Sequence, residues 1–417
     1  MHKKKICHIC TTFIYKSEGI RRIYRIMRRS AEENYSVTNI VGRDYQPDRN
    51  WDTTEICTIR VRRMVKYIKP AKDAAALYGL YKELKNIRPD IVHTHLAKAG
   101  ILGRIAARLA GVPVIIHTVH GPSFPGSVNF LKRFFYLSLE RFTARFTDFF
   151  VFVGGELRDM YVKNGVCPAG KTAVIRTGRP EKEICGADTI TPLEIEAVRN
   201  EFLKGDKTAF LIGYVGRLVP SKAQEKAVSV LKAVRSRGIN AHMALIGEGQ
   251  LSEEKGYEKS LRDLINRMDL SAYIHLTGYR SDIFPCLKAM DILISTSKHE
   301  GLSNMPVETG IAGKPFIAFD VCGMRETLED GVGGYILRQN DTAGMAEKIV
   351  AMAGNPGLSR KMGENARRAV SRGLTAETMT AKILKLYSTL LIEKNTSAGG
   401  PESVYRTSDC SQNMKKA

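Results

Sequence analysis

Two glutamates, Glu300 and Glu308, bracket a short segment that could bind a phosphorylated sugar. The apolar run before them, residues 292–296, predicts a buried strand, and the residues from Met305 onward predict a helix. One carboxylate would then lie in the loop between strand and helix, and the other one turn into the helix. Free backbone N–H groups at a helix N-terminus attract a phosphate, and carboxylates beside it accept hydrogen bonds from hydroxyl groups. A sugar nucleotide presents both kinds of group.

The start of this helix carries the residues that are typical of an N-terminus. Ser303 or Asn304 is the predicted N-cap, and Pro306 falls in the first turn, where its missing N–H costs little. A surface loop with two unrelated acids is the alternative, and it would be preferred for a lone pair of glutamates. A second group of residues upstream favours the functional interpretation.

That second group is a pair of cations, Arg217 and Lys222. They follow an apolar strand predicted at residues 209–215 and precede a helical stretch. Because ligands of an open parallel sheet bind at the carboxyl ends of its strands, both cations would face a bound ligand. They can neutralise a diphosphate leaving group, arginine as a planar fork and lysine as a point charge. Isolated basic residues are more often simply solvated, but together with the glutamates they favour a sugar-nucleotide site.

In their setting HEGLSNMPVE, the two glutamates, together with Arg217 and Lys222, resemble the nucleotide-sugar site of the retaining glycosyltransferases of family 4. The resemblance extends from about residue 5 to about residue 393. It implies an α/β GT-B fold, in which two Rossmann-like, doubly wound domains face each other across a central cleft. It also implies transfer of a sugar from a nucleotide-sugar donor to a glycan or lipid-linked acceptor, in cell-surface polysaccharide, capsule or lipopolysaccharide biosynthesis. Similar enzymes need no metal or other cofactor, since arginine and lysine replace the divalent cation.

The resemblance also carries roles over to individual residues. Glu308 would accept hydrogen bonds from the ribose hydroxyls, while Arg217 and Lys222 would hold the diphosphate and stabilise its charge as it leaves. Glu300 would bind sugar hydroxyls, and its role is either that of a nucleophile or that of an electrostatic support. The second role is preferred, because no second acid for a double displacement is evident. His120 would close over the donor sugar from the first domain. The predicted catalytic residues are Glu300, His120, Arg217 and Lys222. The predicted donor-binding residues are Gly19, Gly216, Arg217, Lys222, Gly278, Tyr279, Arg280, Glu300, Gly301, Leu302, Ser303, Asn304 and Glu308.

The nucleobase and the first strand end are less specified. Gly278, Tyr279 and Arg280 stand where similar enzymes hold the base through backbone groups, which leave no side-chain signal, and uridine follows only from its frequency in the family. Similar enzymes usually carry two adjacent glycines after the first strand. This chain has Glu18 and Gly19 there, so it lacks the glycine pair.

Four histidines end two predicted strands of the first domain, His93 and His95 on one and His117 and His120 on the next. We expect His95 to line the acceptor pocket and His117 to be structural, and His93 is a candidate core residue. Together the four suggest a metal site. No acidic partner lies near them in the sequence, so the metal interpretation is the less favoured one.

A length of 417 residues is too great for one ordinary core and suits two of roughly 200 residues each. Alternating strands and helices predict a Rossmann-like, acceptor-side domain at residues 1–180, a linker at 181–206 and a nucleotide-sugar domain at 207–375. A terminal helix, residues 376–393, is expected to cross back onto the first domain. Residues 395–417 have the composition of a disordered tail.

The composition, 43% apolar and 26% charged, is that of a soluble globular protein. No apolar run approaches the roughly 20 residues that span a bilayer, and the basic start lacks the apolar segment of a signal peptide, so we expect a cytoplasmic protein. Cys7 and Cys10 form a CxxC motif, but residues three apart on a strand point to opposite faces and cannot share a metal. The other six cysteines are scattered and are predicted to be buried thiols.

A formal net charge of +21 indicates an anionic partner. Nucleic acid is one such partner, but no helix-turn-helix, zinc finger or RNP-type motif supports it. An anionic membrane suits an enzyme with a lipid-linked acceptor better, so we expect peripheral association with the inner face of the cell membrane. The segment 130–146 mixes phenylalanines and basic residues at helical spacing, as interfacial helices do. A helix that covers the sheet has the same composition, and the place of this segment between two strands favours that interpretation.

Two other functions fit parts of the sequence. A sugar-nucleotide epimerase of GT-B fold would share the nucleotide site but would need acid and base groups for chemistry at C2. A non-catalytic protein that binds membranes or nucleic acid would explain the charge but would leave the glutamates and the cations without a role. The transferase interpretation uses both, and we therefore prefer it.

Overall fold

The computed structural model describes residues 3–124, 129–251, 254–370 and 375–397. The strands in this part of the chain are β1 (Lys5–Cys10), β2 (Phe13–Ile14), β3 (Ser36–Val41), β4 (Tyr45–Gln46), β5 (Ile56–Arg60), β6 (Ile91–His95), β7 (Val114–Val119), β8 (Phe149–Phe152), β9 (Thr172–Val174), β10 (Phe210–Val215), β11 (Ala241–Ile246), β12 (Ile274–Gly278), β13 (Ile292–Ser295), β14 (Phe316–Phe319) and β15 (Gly334–Leu337). The α-helices are α1 (Glu18–Glu32), α2 (Pro70–Ile87), α3 (Ala97–Ala110), α4 (Phe130–Ala144), α5 (Gly155–Lys163), α6 (Glu181–Asp188), α7 (Pro192–Leu203), α8 (Gln224–Arg235), α9 (Lys255–Arg267), α10 (Ile283–Ala289), α11 (Met305–Ile311), α12 (Thr342–Ala353), α13 (Pro356–Val370) and α14 (Ala376–Ser397).

The first sheet has seven parallel strands in the order β5-β3-β1-β6-β7-β8-β9. Helices cover both of its faces, so its strands are apolar on both sides, as expected for a parallel sheet. Along β1, Ile6 packs with α14 on one face, and Cys7 packs with α2 and α3 on the other. The crossover order places β1 and β6 side by side at the centre, and their carboxyl ends face the second sheet.

The second sheet has six parallel strands in the order β12-β11-β10-β13-β14-β15. Two separate apolar clusters fill its faces, one containing Leu211 and Leu293 and the other Ile212 and Ile294. This alternation follows from the two-residue period of a strand. Two parallel sheets covered by helices are the doubly wound α/β architecture that the sequence predicts.

The terminal helix α14 packs on the first sheet although it follows the second one in the chain. Its residues Met379, Ile383 and Tyr387 are buried in one cluster with Ile6 and Val114 of that sheet. The helix continues to residue 397, so the start of the tail predicted at 395 is wrong by three residues, which extend the helix by most of a turn. The rest of the predicted tail, residues 398–417, lies outside the described residues.

The cysteine prediction holds for some residues and fails for others. Cys7 and Cys10 are buried in different apolar clusters, which confirms that they point to opposite faces of the sheet. Burial raises the pKa of both thiols. Cys57 and Cys185 are exposed, because β5 is an edge strand and α6 lies at the surface, so the prediction of buried thiols is wrong for these two.

Helix α4 is buried along only one narrow face. Its buried residues are Leu137, Glu140 and Thr143. Phe130 and Phe134 keep 76% and 59% of their surface exposed, and Leu131, Phe135 and Phe142 are exposed as well. Leu137 packs with Phe150 and Phe152 of the first sheet, which confirms the prediction of a sheet-covering helix for the inner face, while the outer face carries exposed phenylalanines. The contact of the helix with α3 is a buried ion pair between Glu140 and Arg104 and does not depend on its phenylalanines.

Candidate active site

A cleft of about 1630 Å³ lies between the carboxyl ends of the two sheets. Thirteen of the predicted site residues line it: Gly19, His120, Gly216, Arg217, Lys222, Tyr279, Arg280, Glu300, Gly301, Leu302, Ser303, Asn304 and Glu308. Gly278 and His95 are the two predicted site residues that do not. Gly278 ends β12 just before the lining residue Tyr279, and it has a left-handed backbone with φ of +71°. His95 is fully buried behind the cleft wall and cannot contact an acceptor directly. The prediction that it lines the acceptor pocket is therefore wrong.

Lys222 and Glu300 form a close charged pair in the cleft. The lysine follows β10 and the glutamate follows β13, two adjacent strands, and Nζ lies 2.5 Å from Oε1. Burial alone would raise the pKa of the Glu300 carboxyl, but the charge and hydrogen bond of Lys222 outweigh it and lower that pKa. Tyr214 donates a hydrogen bond to the Lys222 carbonyl at 2.5 Å and fixes the loop that carries the lysine. Glu300 is therefore a carboxylate at neutral pH and Lys222 is its counter-ion.

Arg217 lies at the cleft wall but does not contact this pair. Its Nη1 is 3.3 Å from Oε1 of Glu254, and Lys66 of the first domain reaches the same oxygen at 2.7 Å. The Glu254 carboxylate also accepts the backbone N–H of Gln250 at 2.8 Å. The Arg217 side chain keeps 43% of its surface exposed, so its guanidinium is available to a ligand.

Glu308 pairs with Arg179, a residue that no sequence pattern marks as part of the site. Arg179, in the linker after β9, places Nη1 3.4 Å from Oε1 of Glu308 and 2.7 Å from Oε2 of Glu18. It also pairs with Glu183. Burial raises the pKa of Glu308, and Glu18 and Glu183 add to this, although Arg179 opposes it. The glutamate that replaces one of the expected glycines thus lies in a buried ion cluster with the predicted ribose-binding residue.

Asn304 does not cap α11 with its side chain. Its Oδ1 accepts hydrogen bonds at 3.1 Å from Nη2 of Arg22 and from Oγ1 of Thr177, which both come from the first half of the chain. Asn304 is the N-cap residue of α11, as one of the two predicted candidates, but its side chain makes no capping hydrogen bond, because these two donors occupy its oxygen. Arg22 is almost fully buried, and no pattern in the sequence marks it as part of the site.

The backbone of Gly301 is in close contact with the backbone of His120, across the two halves of the site. A Cβ built on it would lie 2.0 Å from the carbonyl oxygen of His120, so only glycine fits there. A second contact lies nearby, where Glu326 accepts the backbone N–H groups of Gly155 at 2.9 Å and Glu156 at 2.8 Å. This second contact holds the start of α5 against the segment between β14 and β15.

The histidines divide between the two faces of the first sheet. His93 and His95 share one face with His8 of β1, and ring nitrogens of these three lie within 4.8 Å of one another. His117 faces the other side, where its Nδ1 lies 2.9 Å from Oγ1 of Thr94. The predicted grouping of four histidines is therefore wrong, because His117 points away from the rest. Three neutral histidines could ligate a metal, but these make hydrogen bonds to one another and to neighbouring hydroxyls.

One part of the first-domain side of the cleft is apolar. The residues of this apolar wall are Ile68, Ile101, Ile105, Phe135 and Leu139. Phe135 belongs to the exposed outer face of α4, so the wall continues onto the protein surface. Among the described helices none is long and apolar enough to cross a membrane.

Two family profiles match the chain. The profile described as Glycosyltransferase Family 4 matches residues 20–182, and the one described as Glycosyl transferases group 1 matches residues 196–369. The two matches follow one another and take in both sheets and the cleft between them. This chain belongs to glycosyltransferase family 4.

Curated relatives of this family 4 enzyme cover most of its length. One is the UDP-Gal:alpha-D-GlcNAc-diphosphoundecaprenol alpha-1,3-galactosyltransferase of Escherichia coli, which is 27% identical over 85% of this chain and 90% of its own. Another is the capsular polysaccharide biosynthesis glycosyltransferase CapM of Staphylococcus aureus, which is 24% identical over 94% of this chain and 99% of its own.

Solved structures show the same fold. HepE of Anabaena, crystallised with UDP and glucose, matches with a TM-score of 0.76 and 19% identity over 93% of this chain and 100% of its own. WaaG, a glycosyltransferase involved in lipopolysaccharide biosynthesis, matches with a TM-score of 0.74 and 15% identity over 90% of this chain and 98% of its own. The GT-B arrangement of two Rossmann-like domains is thereby confirmed.

Proposed function

We propose that this family 4 glycosyltransferase moves a sugar from a UDP-sugar to a lipid-linked or glycan acceptor, with retention of the anomeric configuration. The acceptor belongs to cell-surface polysaccharide biosynthesis. The observation that carries the proposal is the Lys222–Glu300 pair, which lies in one cleft with Arg217 and His120. The named activity of the galactosyltransferase from Escherichia coli and the ligands of HepE support the choice of a UDP-sugar.

The donor diphosphate takes the place of Glu300 as the partner of Lys222. Lys222 and Arg217 stand at the end of β10 and supply the positive charge that stabilises the departing UDP. Glu300, kept ionised, then accepts hydrogen bonds from the sugar hydroxyls. Because two fixed cations serve the leaving group, no divalent metal is required.

The nucleoside lies toward Glu308 and Tyr279. Glu308 accepts hydrogen bonds from the ribose hydroxyls, and Arg179 keeps this buried carboxylate compensated before the donor arrives. Tyr279 lines the cleft just after β12, where backbone groups can hold the base. Contact between Gly301 and His120 brings the first domain against the sugar and excludes water from the reacting centre.

Stereochemistry and metal dependence test this function together. Slow hydrolysis of α-linked UDP-sugars by the full chain is expected to release the α-anomer first, as followed by proton NMR. An excess of EDTA is expected to leave the rate unchanged. Release of the β-anomer would contradict retention, and loss of activity in EDTA that added Mg²⁺ restores would contradict the metal-free site.

The acceptor side supports a membrane-bound substrate. The apolar wall of the cleft runs onto the outer face of α4, which carries exposed Phe130, Leu131 and Phe134. Lys132, Arg133, Arg141 and Arg145 lie on the same helix or at its end, in a chain of net charge +21. Exposed aromatic residues beside basic ones are typical of helices that lie in a membrane interface. We propose that this face binds the anionic inner surface of the cell membrane and gives the cleft access to a lipid-linked acceptor.

Vesicle binding tests this proposal. The full chain is expected to sediment with phosphatidylcholine vesicles that contain phosphatidylglycerol, and to bind vesicles without it more weakly. Because two large apolar side chains leave the interface, Phe130→Ser/Phe134→Ser is expected to weaken binding by about tenfold or more. The matched control is Leu193→Ser/Ile392→Ser, which removes side chains that are 77% and 62% exposed on other helices. Equal loss in both double variants, or no loss in either, would contradict the assignment to α4.

A further inference from the structure

Three histidines form a continuous hydrogen-bonded chain from the core of the first sheet to the cleft. Nδ1 of His8 lies 3.0 Å from Nε2 of His95, and Nδ1 of His95 lies 3.3 Å from Nε2 of His120. His8 and His95 are fully buried, whereas His120 lines the cleft. The His8 and His95 rings are stacked, 5.3 Å apart at an angle of 4°. The sequence does not mark His8 as a site residue, because a lone histidine within an apolar strand resembles an ordinary core residue.

All three rings are neutral at physiological pH. Burial lowers the pKa of His8 and of His120 to about 3, and the charge of Arg22 on α1 also acts on His120. Burial likewise lowers the pKa of His95 well below its usual value. His93 and Tyr387 also face the chain, and His117, on the opposite face of the sheet, adds to the lowering of the pKa of His95. A neutral imidazole has one N–H donor and one acceptor nitrogen.

One donor and one acceptor on each ring allow only two arrangements of the protons along the three histidines. If His95 carries its proton on Nδ1, it donates to His120 and accepts from His8, so all three rings are protonated on Nδ1. If His95 carries its proton on Nε2, all three rings are protonated on Nε2. The protons therefore move together, and the tautomer of His120 depends on the two rings behind it.

The free ends of the chain distinguish the two arrangements. Nε2 of His8 and Nδ1 of His120 have no hydrogen-bond partner among the described residues. Protonation on Nε2 would leave an unpaired N–H on His8, which is completely buried, and such orphaned donors are rare. Protonation on Nδ1 leaves the unpaired N–H on His120 instead. This nitrogen is also buried, but it belongs to a half-buried residue that lines the cleft, so a ligand that enters the cleft can accept its hydrogen bond after a small movement of the ring.

We propose that His8 and His95 are positioning residues that hold His120 as the Nδ1–H tautomer, so that His120 donates a hydrogen bond to an oxygen of the donor sugar. The identity of that ligand rests on the proposed function. The tautomer itself depends only on the histidine chain. His93 lies outside the chain, because its Nδ1 pairs with Tyr387 at 2.5 Å and its Nε2 with Thr118 at 2.6 Å. Its ring supports that of His95, with centroids 4.2 Å apart.

Nitrogen NMR of the full chain tests the proposal without any donor. In long-range proton–nitrogen spectra of protein labelled with ¹⁵N-histidine, near neutral pH, the signals of His8, His95 and His120 are expected to show the Nδ1–H tautomer. They are assigned by substituting one histidine at a time. A wild-type spectrum with His120 as the Nε2–H tautomer, or charged, would overturn the proposal even if no variant folds.

Two variants test the dependence of His120 on the rings behind it. His95→Phe keeps an aromatic ring but removes both hydrogen bonds, and it is expected to leave His120 as a mixture of tautomers. His117→Phe is the matched control, equally buried on the other face of the sheet, and it should leave the His120 signals unchanged. An unaltered His120 spectrum in His95→Phe would overturn the positioning role.

Kinetics give the functional readout. With the UDP-sugar that the protein hydrolyses, His95→Phe is expected to lower kcat about tenfold with little change in KM, as for loss of one oriented hydrogen bond. His117→Phe is expected to keep kcat within about twofold. If no UDP-sugar is hydrolysed, the proposed function fails while the NMR result still decides the tautomer. Equal losses of kcat in both variants would contradict the specific role of His95.

Discussion

Replacement of Lys222 by alanine is expected to lower kcat for sugar transfer by about 100- to 1,000-fold, the usual effect of losing one group that stabilises a developing negative charge. The ammonium lies 2.5 Å from Glu300 and is the proposed partner of the leaving diphosphate. Its removal also leaves the Glu300 carboxylate in a buried place without a counter-ion, where burial raises its pKa. Both changes act on the transition state, so the loss should appear in kcat as well as in KM.

A lysine outside the cleft provides the control for this experiment. Lys232 is exposed on α8, the helix that follows Lys222, and it does not line the cleft. Lys232→Ala removes the same charge from the same domain and is expected to keep kcat within about twofold. Activity of Lys222→Ala within about threefold of that control would mean that the lysine is an ordinary surface charge.

Replacement of Arg104 by methionine is expected to destabilise the first domain by about 3–5 kcal/mol. Arg104 on α3 and Glu140 on α4 are both completely buried, with Nη2 2.7 Å from Oε2. The guanidinium also donates from Nε to the Gly100 carbonyl at 2.7 Å. Without the arginine, Glu140 remains as an uncompensated buried charge, and this accounts for most of the expected loss. The midpoint of denaturant-induced unfolding, followed by circular dichroism, measures it.

The double variant Arg104→Met/Glu140→Leu separates the charge from the packing. It removes both buried charges and keeps apolar volume between α3 and α4, so it is expected to recover most of the stability lost in Arg104→Met. If the single variant unfolds within about 1 kcal/mol of the wild type, the pair is not compensated in the way the structure indicates. If the double variant is no more stable than the single one, packing rather than charge is responsible.

The part of the site that strand ends position was predictable from the sequence. Arg217, Lys222 and Glu300 each follow an apolar run that must be a buried parallel strand, and such strands end at one edge of the sheet. Their presence in one cleft therefore needed no knowledge of distant contacts. The alternation of strands and helices predicted the two sheets for the same reason, because it depends on local periodicity.

Contacts between distant segments were not predictable. Arg179 lies in a linker without periodic pattern, and its partners Glu18 and Glu308 are far away on either side in the chain. Asn304 is the N-cap of α11, but its side chain makes no capping hydrogen bond, because Arg22, from the other half of the chain, donates to its oxygen. Local propensity describes what a residue can do alone, and here tertiary partners decided otherwise.

Composition also left the orientation of α4 undecided. Phenylalanines and basic residues at helical spacing suit both a sheet-covering helix and an interfacial one. The distinction depends on how deeply the helix is buried. Its buried residues include Glu140, a charged residue that pairs with Arg104. Charged residues are rarely buried, so sequence patterns place them outside. The buried face of α4 contains this ion pair together with Leu137 and Thr143, and the aromatic side chains lie on the opposite, exposed face.

Binding of a panel of UDP-, GDP- and ADP-sugars by calorimetry, in parallel for the wild type, Lys222→Ala and Glu308→Ala, tests the central claim most directly. The predicted result is micromolar affinity of the wild type for one UDP-sugar, lost or strongly weakened in both variants, because one removes the diphosphate partner and the other the ribose partner. Absence of binding to every member by the folded wild type would contradict the sugar-nucleotide site. So would equal binding by all three proteins.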